Sequence, residues 1–254
     1  MTRLGPTFII GGAPRSGTTW LYHLLDRHPD VYMARPIRPE PKFFLIDELY
    51  ARGIGHYFDT WFSERTDQRA AGEKTTNYLE SALAAERIQR HLPSVQLVFI
   101  LREPAQRAYS NWAWSRMNGL ETEEFSIALG LEEQRERTPP PHLRYARPHA
   151  YFSRGLYAAM LKPYLALFGR DQVLCLKFED IIETPAALAS RVHQFIGVAP
   201  RPDDAEDLGA INPSDTPGEV MQETVRMRLR ERYAGPNEEL AHLLGPSFTA
   251  WGAP

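Results

Sequence analysis

The sequence predicts an α/β protein with a P-loop-like, three-layer fold, in which helices flank a mostly parallel central sheet. Two observations carry this prediction. Near the start of the chain, the apolar run at residues 8–10 leads through paired glycines into a polar turn and then into a helical pattern. Further on, residues 95–101 form a continuous apolar run, which is typical of a strand buried on both faces of a parallel sheet.

Length and composition limit the possible classes of protein. The chain has 254 residues, 43% of them hydrophobic, and we assign residues 1–254 to a single domain. The net charge of −3 argues against a nucleic-acid partner. The only cysteine, Cys175, lies in an apolar run and is expected in the core. No signal peptide or run of ~20 apolar residues is visible, so we expect a cytoplasmic protein without a membrane partner.

The loop after the first strand pattern suits a bound oxyanion. Its glycines allow close approach of the backbone, and the first N–H groups of the following helix point outward unpaired. Arg15 adds a fixed positive charge to these N–H groups, and hydroxyls come from Ser16, Thr18 and Thr19. We interpret the segment as a phosphate-binding loop; the alternative is an ordinary turn between a strand and a helix.

The glycine spacing Gly12-x4-Gly17 resembles a Walker A sequence, with one difference. A P-loop that hydrolyses ATP has a Lys after the second glycine, and here Thr18 stands in its place. The strand at 95–101 is followed by Arg102, whereas a P-loop enzyme usually has an Asp that holds Mg²⁺. A nucleotide or small-molecule kinase is therefore the alternative function, and a non-catalytic nucleotide-binding module is another. No metal-ligand set is apparent in the sequence.

The segment Pro-Arg-Ser-Gly-Thr-Thr-Trp at residues 14–20 resembles the 5′-phosphosulfate loop of sulfotransferases that use 3′-phosphoadenylyl sulfate (PAPS). Many soluble members have Lys where this chain has Arg15, a change that keeps the charge and alters its geometry. The resemblance implies nucleotide contacts from Arg15, Ser16, Gly17, Thr18 and Thr19. It also implies that Trp20 stacks on adenine, and core packing is the alternative role of Trp20.

A proline-rich stretch follows a short strand pattern at residues 31–33. Pro36, Pro39 and Pro41 forbid a helix and favour a stiff, extended loop that can hold a side chain in place. In heparan-type sulfotransferases a Glu-x-x-Phe-Phe element follows the first strand-helix unit, and its Glu is the catalytic base. The segment from Glu40 to Phe44 resembles that element, which implies that Glu40 is the base; the alternative is a solvated surface glutamate.

A helical segment with an aromatic cluster is predicted at residues 46–66, packed over the sheet, and a strand is predicted to end at Lys74. Lys74 matches a lysine of both the heparan and the small-phenol types of the family. The phenol type has its catalytic His where this chain has Thr76, so another base is needed. Should Glu40 not be that base, His56 and His149 are the next candidates.

Arg102 and Ser110, eight residues apart, resemble the pair that binds the 3′-phosphate in this family. A guanidinium fork and a hydroxyl donor suit that group. Residues 138–154 are rich in prolines, arginines and aromatics and are interpreted as a loop over the active site; the alternative is a connector. A helix is predicted to begin at residue 151.

The resemblance covers roughly residues 7–198 and is weak over 199–254. Relatives often place a basic glycine loop over the 3′ end of the nucleotide, and residues 211–218 contain no basic residue. Three arginines on the following helix could partly substitute, although a solvated helix face is the other interpretation: Arg226, Arg228 and Arg230.

The resemblance implies a PAPS-dependent sulfotransferase of the EC 2.8.2 type. Its reaction would be O-sulfation, an in-line transfer of a sulfuryl group to a hydroxyl of a small molecule or a carbohydrate. Glu40 would take the proton, and Arg15 and Lys74 would neutralise charge on the transferring group and the leaving phosphate. The mechanism needs PAPS as co-substrate and no metal, and the oligomeric state stays open.

Overall fold

A computed structural model describes residues 5–205, 208, 220–246 and 248–252 of the chain. Its strands are β1 (Phe8–Gly12), β2 (Val31–Met33), β3 (Ala70–Lys74), β4 (Gln96–Leu101) and β5 (Val173–Lys177). Its α-helices are α1 (Thr18–Asp26), α2 (Asp47–Tyr50), α3 (Ile54–Trp61), α4 (Ala82–His91), α5 (Pro104–Met117), α6 (Phe125–Arg137), α7 (Tyr157–Phe168), α8 (Asp180–Glu183), α9 (Pro185–Phe195) and α10 (Glu223–Leu244).

The strands form one parallel sheet in the order β2-β3-β1-β4-β5. The predicted fold class is therefore confirmed: an α/β protein with a parallel central sheet flanked by helices. Strands β1, β3 and β4 are almost entirely buried, as the continuous apolar run of β4 predicts. Within the sheet, Ile10 of β1 lies opposite Lys74 of β3 and Val98 of β4.

The contacts between Cα atoms group the chain into two compact units. One unit comprises residues 1–101 and 163–211, and the other comprises residues 102–162 and 212–254. The assignment of residues 1–254 to a single domain stays a prediction.

The first unit contains the sheet and the helices that cover its two faces. On one face, alternate residues of β1, β4 and β5 pack with α1 and α9 in a single apolar core. On the opposite face, the ring of Phe99 lies 5.0 Å from that of Tyr164 in α7. Cys175 of β5 is a buried free cysteine, as predicted.

The second unit contains α5, α6 and α10, which pack around an aromatic core. Its largest buried members are Trp112, Phe125, Tyr151 and Tyr233. The rings of Phe152 and Tyr233 stack at 4.5 Å, and the Tyr233 hydroxyl donates to the Phe152 carbonyl at 2.8 Å.

Two predicted helices differ in the structure. The helical segment predicted at 46–66 is divided into α2 and α3, because the chain turns at Gly53, whose φ of 82° is left-handed. The helix predicted from residue 151 begins at Tyr157. The carboxylate of buried Glu132 accepts the N–H groups of Phe152 and Ser153 at 2.6 and 2.8 Å and so stabilises a short 3₁₀ turn, Ser153–Gly155, before it.

Within the described ranges, no helix is long and apolar enough to cross a membrane.

Candidate functional site

The predicted phosphate-binding loop joins β1 to α1 at the carboxyl end of the sheet. The Ala13 N–H donates to the Ile100 carbonyl of β4 at 2.8 Å and fixes the start of the loop. Arg15 and Gly17 have φ angles of 66° and 88° and are thus both left-handed, which turns the chain sharply before α1 begins at Thr18. Ligands of parallel α/β sheets bind at this end of the strands.

The loop holds polar groups that a bound oxyanion can satisfy. Ser16 is completely buried, and its Oγ has no hydrogen-bond partner among the described residues. A buried hydroxyl without a partner is uncommon, because desolvation without a hydrogen bond costs about 1–3 kcal/mol. The first N–H groups of α1, which begins with Thr18 and Thr19, have no carbonyl one turn earlier to accept them. The loop therefore offers hydrogen-bond donors that suit an oxyanion.

Gly17 is required by its surroundings as well as by its backbone angle. A Cβ atom at this position would lie 2.5 Å from Cδ1 of Ile181 and 2.9 Å from Cδ2 of Phe178. The segment after β5 thus packs directly on the loop, which leaves no room for a side chain at Gly17.

Trp20 packs in the core of the first unit. Only 3% of its surface is exposed, and its indole N–H donates to the Leu208 carbonyl at 2.9 Å. These are the contacts of a core residue, the alternative to adenine stacking. The stacking of Trp20 on adenine stays a prediction.

Glu40 and Lys74, two residues predicted separately, form an ion pair at the end of β3. The second carboxylate oxygen, Oε2 of Glu40, accepts the Thr76 N–H at 3.1 Å and the Thr76 hydroxyl at 3.2 Å. The side chains of Lys74 and Glu40 are 3% and 13% exposed. Glu40 is therefore not a solvated surface residue: the end of β3 fixes its carboxylate.

The ion pair lies at the same strand ends as the phosphate-binding loop. Ile10 and Lys74 are register partners, and the Thr75 N–H continues the ladder by donating to the Ile10 carbonyl at 3.0 Å. A Cβ atom on Gly12 would lie only 2.9 Å from the Thr76 carbonyl oxygen, so the backbones leaving β1 and β3 touch.

A further acidic residue, Glu73, lies beneath the ion pair and was missed by the sequence analysis. Its side chain is fully buried in β3 and accepts hydroxyl hydrogen bonds from Thr75 at 2.7 Å and from Tyr57 at 3.1 Å. Burial raises the pKa of Glu73 to about 7, and hydrogen bonds from Thr75, Tyr78 and Tyr57 oppose that rise. Glu73 could have been recognised from the sequence as an acidic residue within a strand whose other residues predict burial.

Arg102 and Ser110 belong to the second unit. Arg102 follows β4 directly, and its carbonyl accepts the Tyr157 hydroxyl at 2.8 Å. Ser110 lies on α5 and is 2% exposed. At the start of α5, Glu103 accepts the Gln106 N–H at 2.7 Å and caps the helix. The role of Arg102 and Ser110 at a 3′-phosphate stays a prediction.

The loop at residues 138–154 is anchored within the second unit. The Pro148 carbonyl accepts hydrogen bonds from Asn111 at 2.8 Å and from the Ser115 hydroxyl at 2.7 Å. The imidazole of His149 bonds to the Leu120 carbonyl at 2.9 Å. The second half of this loop is therefore fixed to α5 and to the turn that follows it.

The segment at 211–218, which lacks the basic residues of its family counterpart, lies outside the described residues. Of the three arginines on α10, Arg226 pairs with Glu223 of the same helix, and Arg230 lies 3.9 Å from Glu103. Arg228 is exposed. These positions correspond to a helix face with local ion pairs.

The chain is similar to known sulfotransferases along most of its length. The family model described as "Sulfotransferase domain" matches residues 6–211. A bifunctional heparan sulfate N-deacetylase/N-sulfotransferase 4 of Mus musculus is 27% identical over 80% of this chain, which spans only 23% of that relative. A human heparan sulfate glucosamine 3-O-sulfotransferase 6 is 30% identical over 76% of this chain and 52% of its own length.

A solved structure with a similar fold is a sulfotransferase from Alicyclobacillus acidocaldarius. It is 28% identical, with a TM-score of 0.79 over 95% of this chain and 96% of that chain. Agreement over almost all of both chains extends beyond the loop that carried the resemblance.

We expect Gly17→Ala to destabilise the fold more than Gly197→Ala. Both glycines have a left-handed φ, 88° and 78°, but of the two only Gly17 has other atoms where a Cβ would lie. The backbone conformation alone costs about 1 kcal/mol for a residue with a Cβ, so the excess at Gly17 measures the steric clash. Urea unfolding measures both free energies, and equal losses would contradict the close packing at Gly17.

We expect Glu73 to lower the stability of the fold as the pH rises. Its pKa is about 7 in the folded protein and 4.5 ordinarily, so its contribution is fully present below pH 4.5 and is lost as the pH passes 7. Urea unfolding of the wild type and of Glu73→Gln would be measured at about pH 4 and about pH 8. Between these pH values, the unfolding free energy of the wild type should fall by about 3 kcal/mol relative to that of the variant. A difference that does not change with pH would contradict this prediction.

Proposed function

Since the chain belongs to the sulfotransferase domain family, we propose that it transfers the sulfuryl group of PAPS to an acceptor hydroxyl, with Glu40 as general base. The observation that carries the proposal is the Glu40–Lys74 ion pair at strand ends that also bear the phosphate-binding loop. A fixed carboxylate beside a cation and an oxyanion loop suits the transfer of an anionic group to a hydroxyl.

The loop residues would bind the phosphosulfate end of PAPS. The buried Ser16 hydroxyl and the first N–H groups of α1 supply neutral donors, and Arg15 supplies charge. Thr18 and Thr19 stand at the helix start, where their own N–H groups face the ligand. Arg102 and Ser110 remain the proposed contacts of the 3′-phosphate.

The transfer is an in-line displacement at sulfur. A lone pair of the acceptor oxygen forms a new S–O bond while the bond from sulfur to the bridging phosphate oxygen breaks. The acceptor proton moves to the Glu40 carboxylate, and adenosine 3′,5′-bisphosphate (PAP) leaves with the electron pair of the broken bond. Negative charge grows on the bridging oxygen as it leaves, and Arg15 and Lys74 would stabilise it.

Lys74 can serve both the base and the transferring group. Its ammonium has three N–H donors, and one of them is directed at Oε1 of Glu40. The other donors remain for oxygens of the sulfuryl group or of the leaving phosphate. Lys74 would thereby hold the base next to the group that it serves.

The acceptor would be a hydroxyl of a small molecule or a carbohydrate. Thr76, where the phenol type has its catalytic His, donates to Glu40, so this position supports a carboxylate base. This arrangement favours an aliphatic or sugar hydroxyl. Of the two relatives above, the one named as a heparan sulfate glucosamine 3-O-sulfotransferase is in keeping with a sugar hydroxyl, whereas the other is named as an N-sulfotransferase.

PAP should stabilise the protein more than ATP with Mg²⁺. The loop lacks the Lys that a nucleotide-hydrolysing P-loop places after its second glycine, and Arg102 with Ser110 suits a 3′-phosphate. At about 100 Kd of ligand the expected gain is about 2.7 kcal/mol in unfolding free energy. Thermal unfolding with each nucleotide measures this, and equal or greater stabilisation by ATP would favour the kinase alternative.

Glu40→Gln should lower kcat by about 10²–10⁴-fold while PAP affinity stays near the wild-type value. The amide keeps the size of the side chain and removes its basicity. The expected fall in kcat is the factor that a general base usually contributes. Steady-state kinetics and calorimetry with PAP measure the two quantities. Glu48→Gln, on the exposed part of α2, is the matched control. If Glu40→Gln keeps full kcat under conditions in which the chemical step limits the rate, Glu40 is not the base.

Arg102→Ala should weaken PAP binding by about 1.5–3 kcal/mol, the range for hydrogen bonds to charged groups. The variant should also lose discrimination between PAP and adenosine 5′-monophosphate, which lacks the 3′-phosphate. Arg90→Ala, at an exposed position of α4, is the control. Calorimetric titrations that show unchanged discrimination would assign the 3′-phosphate to other residues.

A further inference from the structure

We propose that Glu73 is a positioning residue, which orients the Thr75 hydroxyl that holds the loop of Glu40 against β3, and that the Tyr78 hydroxyl holds the end of the same loop. The Glu40 loop is here residues 40–44. The inference deepens the proposed function and rests on it, because Glu40 matters only if it is the base.

The first connection passes through Thr75. Its hydroxyl donates to Oε2 of Glu73 at 2.7 Å and accepts the Lys42 N–H at 3.1 Å. Lys42 lies two residues after Glu40 and has a left-handed φ of 50°. A residue with a Cβ adopts this conformation only where neighbouring contacts enforce it.

The second connection passes through Tyr78. Its hydroxyl accepts the Phe44 N–H at 3.3 Å. Tyr78 is fully buried, and its ring lies against that of Phe44 with centroids 5.9 Å apart. The two connections thus reach the middle and the end of the Glu40 loop.

The direction of these hydrogen bonds requires an acceptor at Glu73. A backbone N–H can only donate, so the hydroxyls of Thr75 and Tyr78 must accept from Lys42 and Phe44. Each hydroxyl has a single proton, which is then free to be donated elsewhere. The Glu73 carboxylate receives the proton of Thr75 and so sets the orientation of that hydroxyl.

Tyr57 provides an internal comparison. Its hydroxyl also donates to Glu73, at 3.1 Å, and its ring is also buried, at 1% exposure. Among the described residues, no N–H of the Glu40 loop donates to it. Tyr57 therefore shares the bond to Glu73 without the link to the loop.

The consequence is a fixed distance between the base and the groups that bind the donor. Glu73 and Lys74 are the last two residues of β3 and Thr75 follows them directly, so the strand end that supplies Lys74 also fixes the loop that supplies Glu40. Misplacement of a catalytic group by about 1 Å can cost about 10²-fold in rate. Loss of the Glu73 connections should therefore lower kcat without weakening nucleotide binding.

The test compares Tyr78→Phe with Tyr57→Phe. Each variant removes one buried tyrosine hydroxyl, and only Tyr78→Phe removes an acceptor of an N–H group of the Glu40 loop. We expect kcat to fall about 10-fold or more for Tyr78→Phe relative to Tyr57→Phe, with the KM for PAPS within about 2-fold of the wild type. In the protein without nucleotide, NMR amide exchange should accelerate at Phe44 in Tyr78→Phe only.

Thr75→Val and Thr75→Ser give a second pair that does not depend on the folding of the Tyr78 variant. Valine removes the hydroxyl and should accelerate amide exchange at Lys42 and lower kcat, whereas serine keeps the hydroxyl and should restore both. Equal kcat and equal amide exchange within each pair would overturn the inference. If Glu40→Gln also kept full kcat in the same assay, the proposed base itself would fall; if it were inactive, only the positioning role would.

Discussion

The parallel pairing of β1 with β3 is the constraint on which the candidate site depends. Ile10 lies opposite Lys74, so the two strands end side by side at the carboxyl edge of the sheet. Gly12 has no Cβ, and the Thr76 carbonyl approaches it in the space that a Cβ would need. A one-residue shift in this pairing would turn Lys74 to the other face of β3 and separate it from Glu40.

The buried charges at this edge are supported by hydrogen bonds from several segments. Lys74 neutralises Glu40, while the Thr76 N–H and hydroxyl donate to the same carboxylate. Glu73 lies deeper and is bound by hydroxyls rather than by a cation. Removing one member of such a network leaves a buried partner unsatisfied, which costs more than the bond itself is worth. The network therefore favours one arrangement of the Glu40 loop.

Local patterns were sufficient to predict the sheet and the phosphate-binding loop, because strand periodicity and glycine spacing are properties of short segments. Glu40 and Lys74 were predicted as site residues through resemblance, and the structure adds their ion pair. Glu73 was missed because its partners come from separate segments that only the fold brings together. The helix start at Tyr157 was missed for a similar reason, since Glu132 stabilises the preceding turn from twenty residues away. Trp20 had two roles compatible with its sequence, and its burial depends on the distant Leu208.

Isotope transfer shows whether this site moves a sulfuryl group. The protein would be incubated with PAPS labelled with ³⁵S and, in parallel, with γ-³²P-labelled ATP and Mg²⁺, over a panel of sugar, aliphatic and phenolic hydroxyl acceptors. We expect ³⁵S to appear on an acceptor, with one equivalent of PAP formed per transfer, and no transfer of ³²P. Transfer of ³²P in place of ³⁵S would refute the proposed function and identify a kinase, and nucleotide binding without transfer to any acceptor would identify a non-catalytic module.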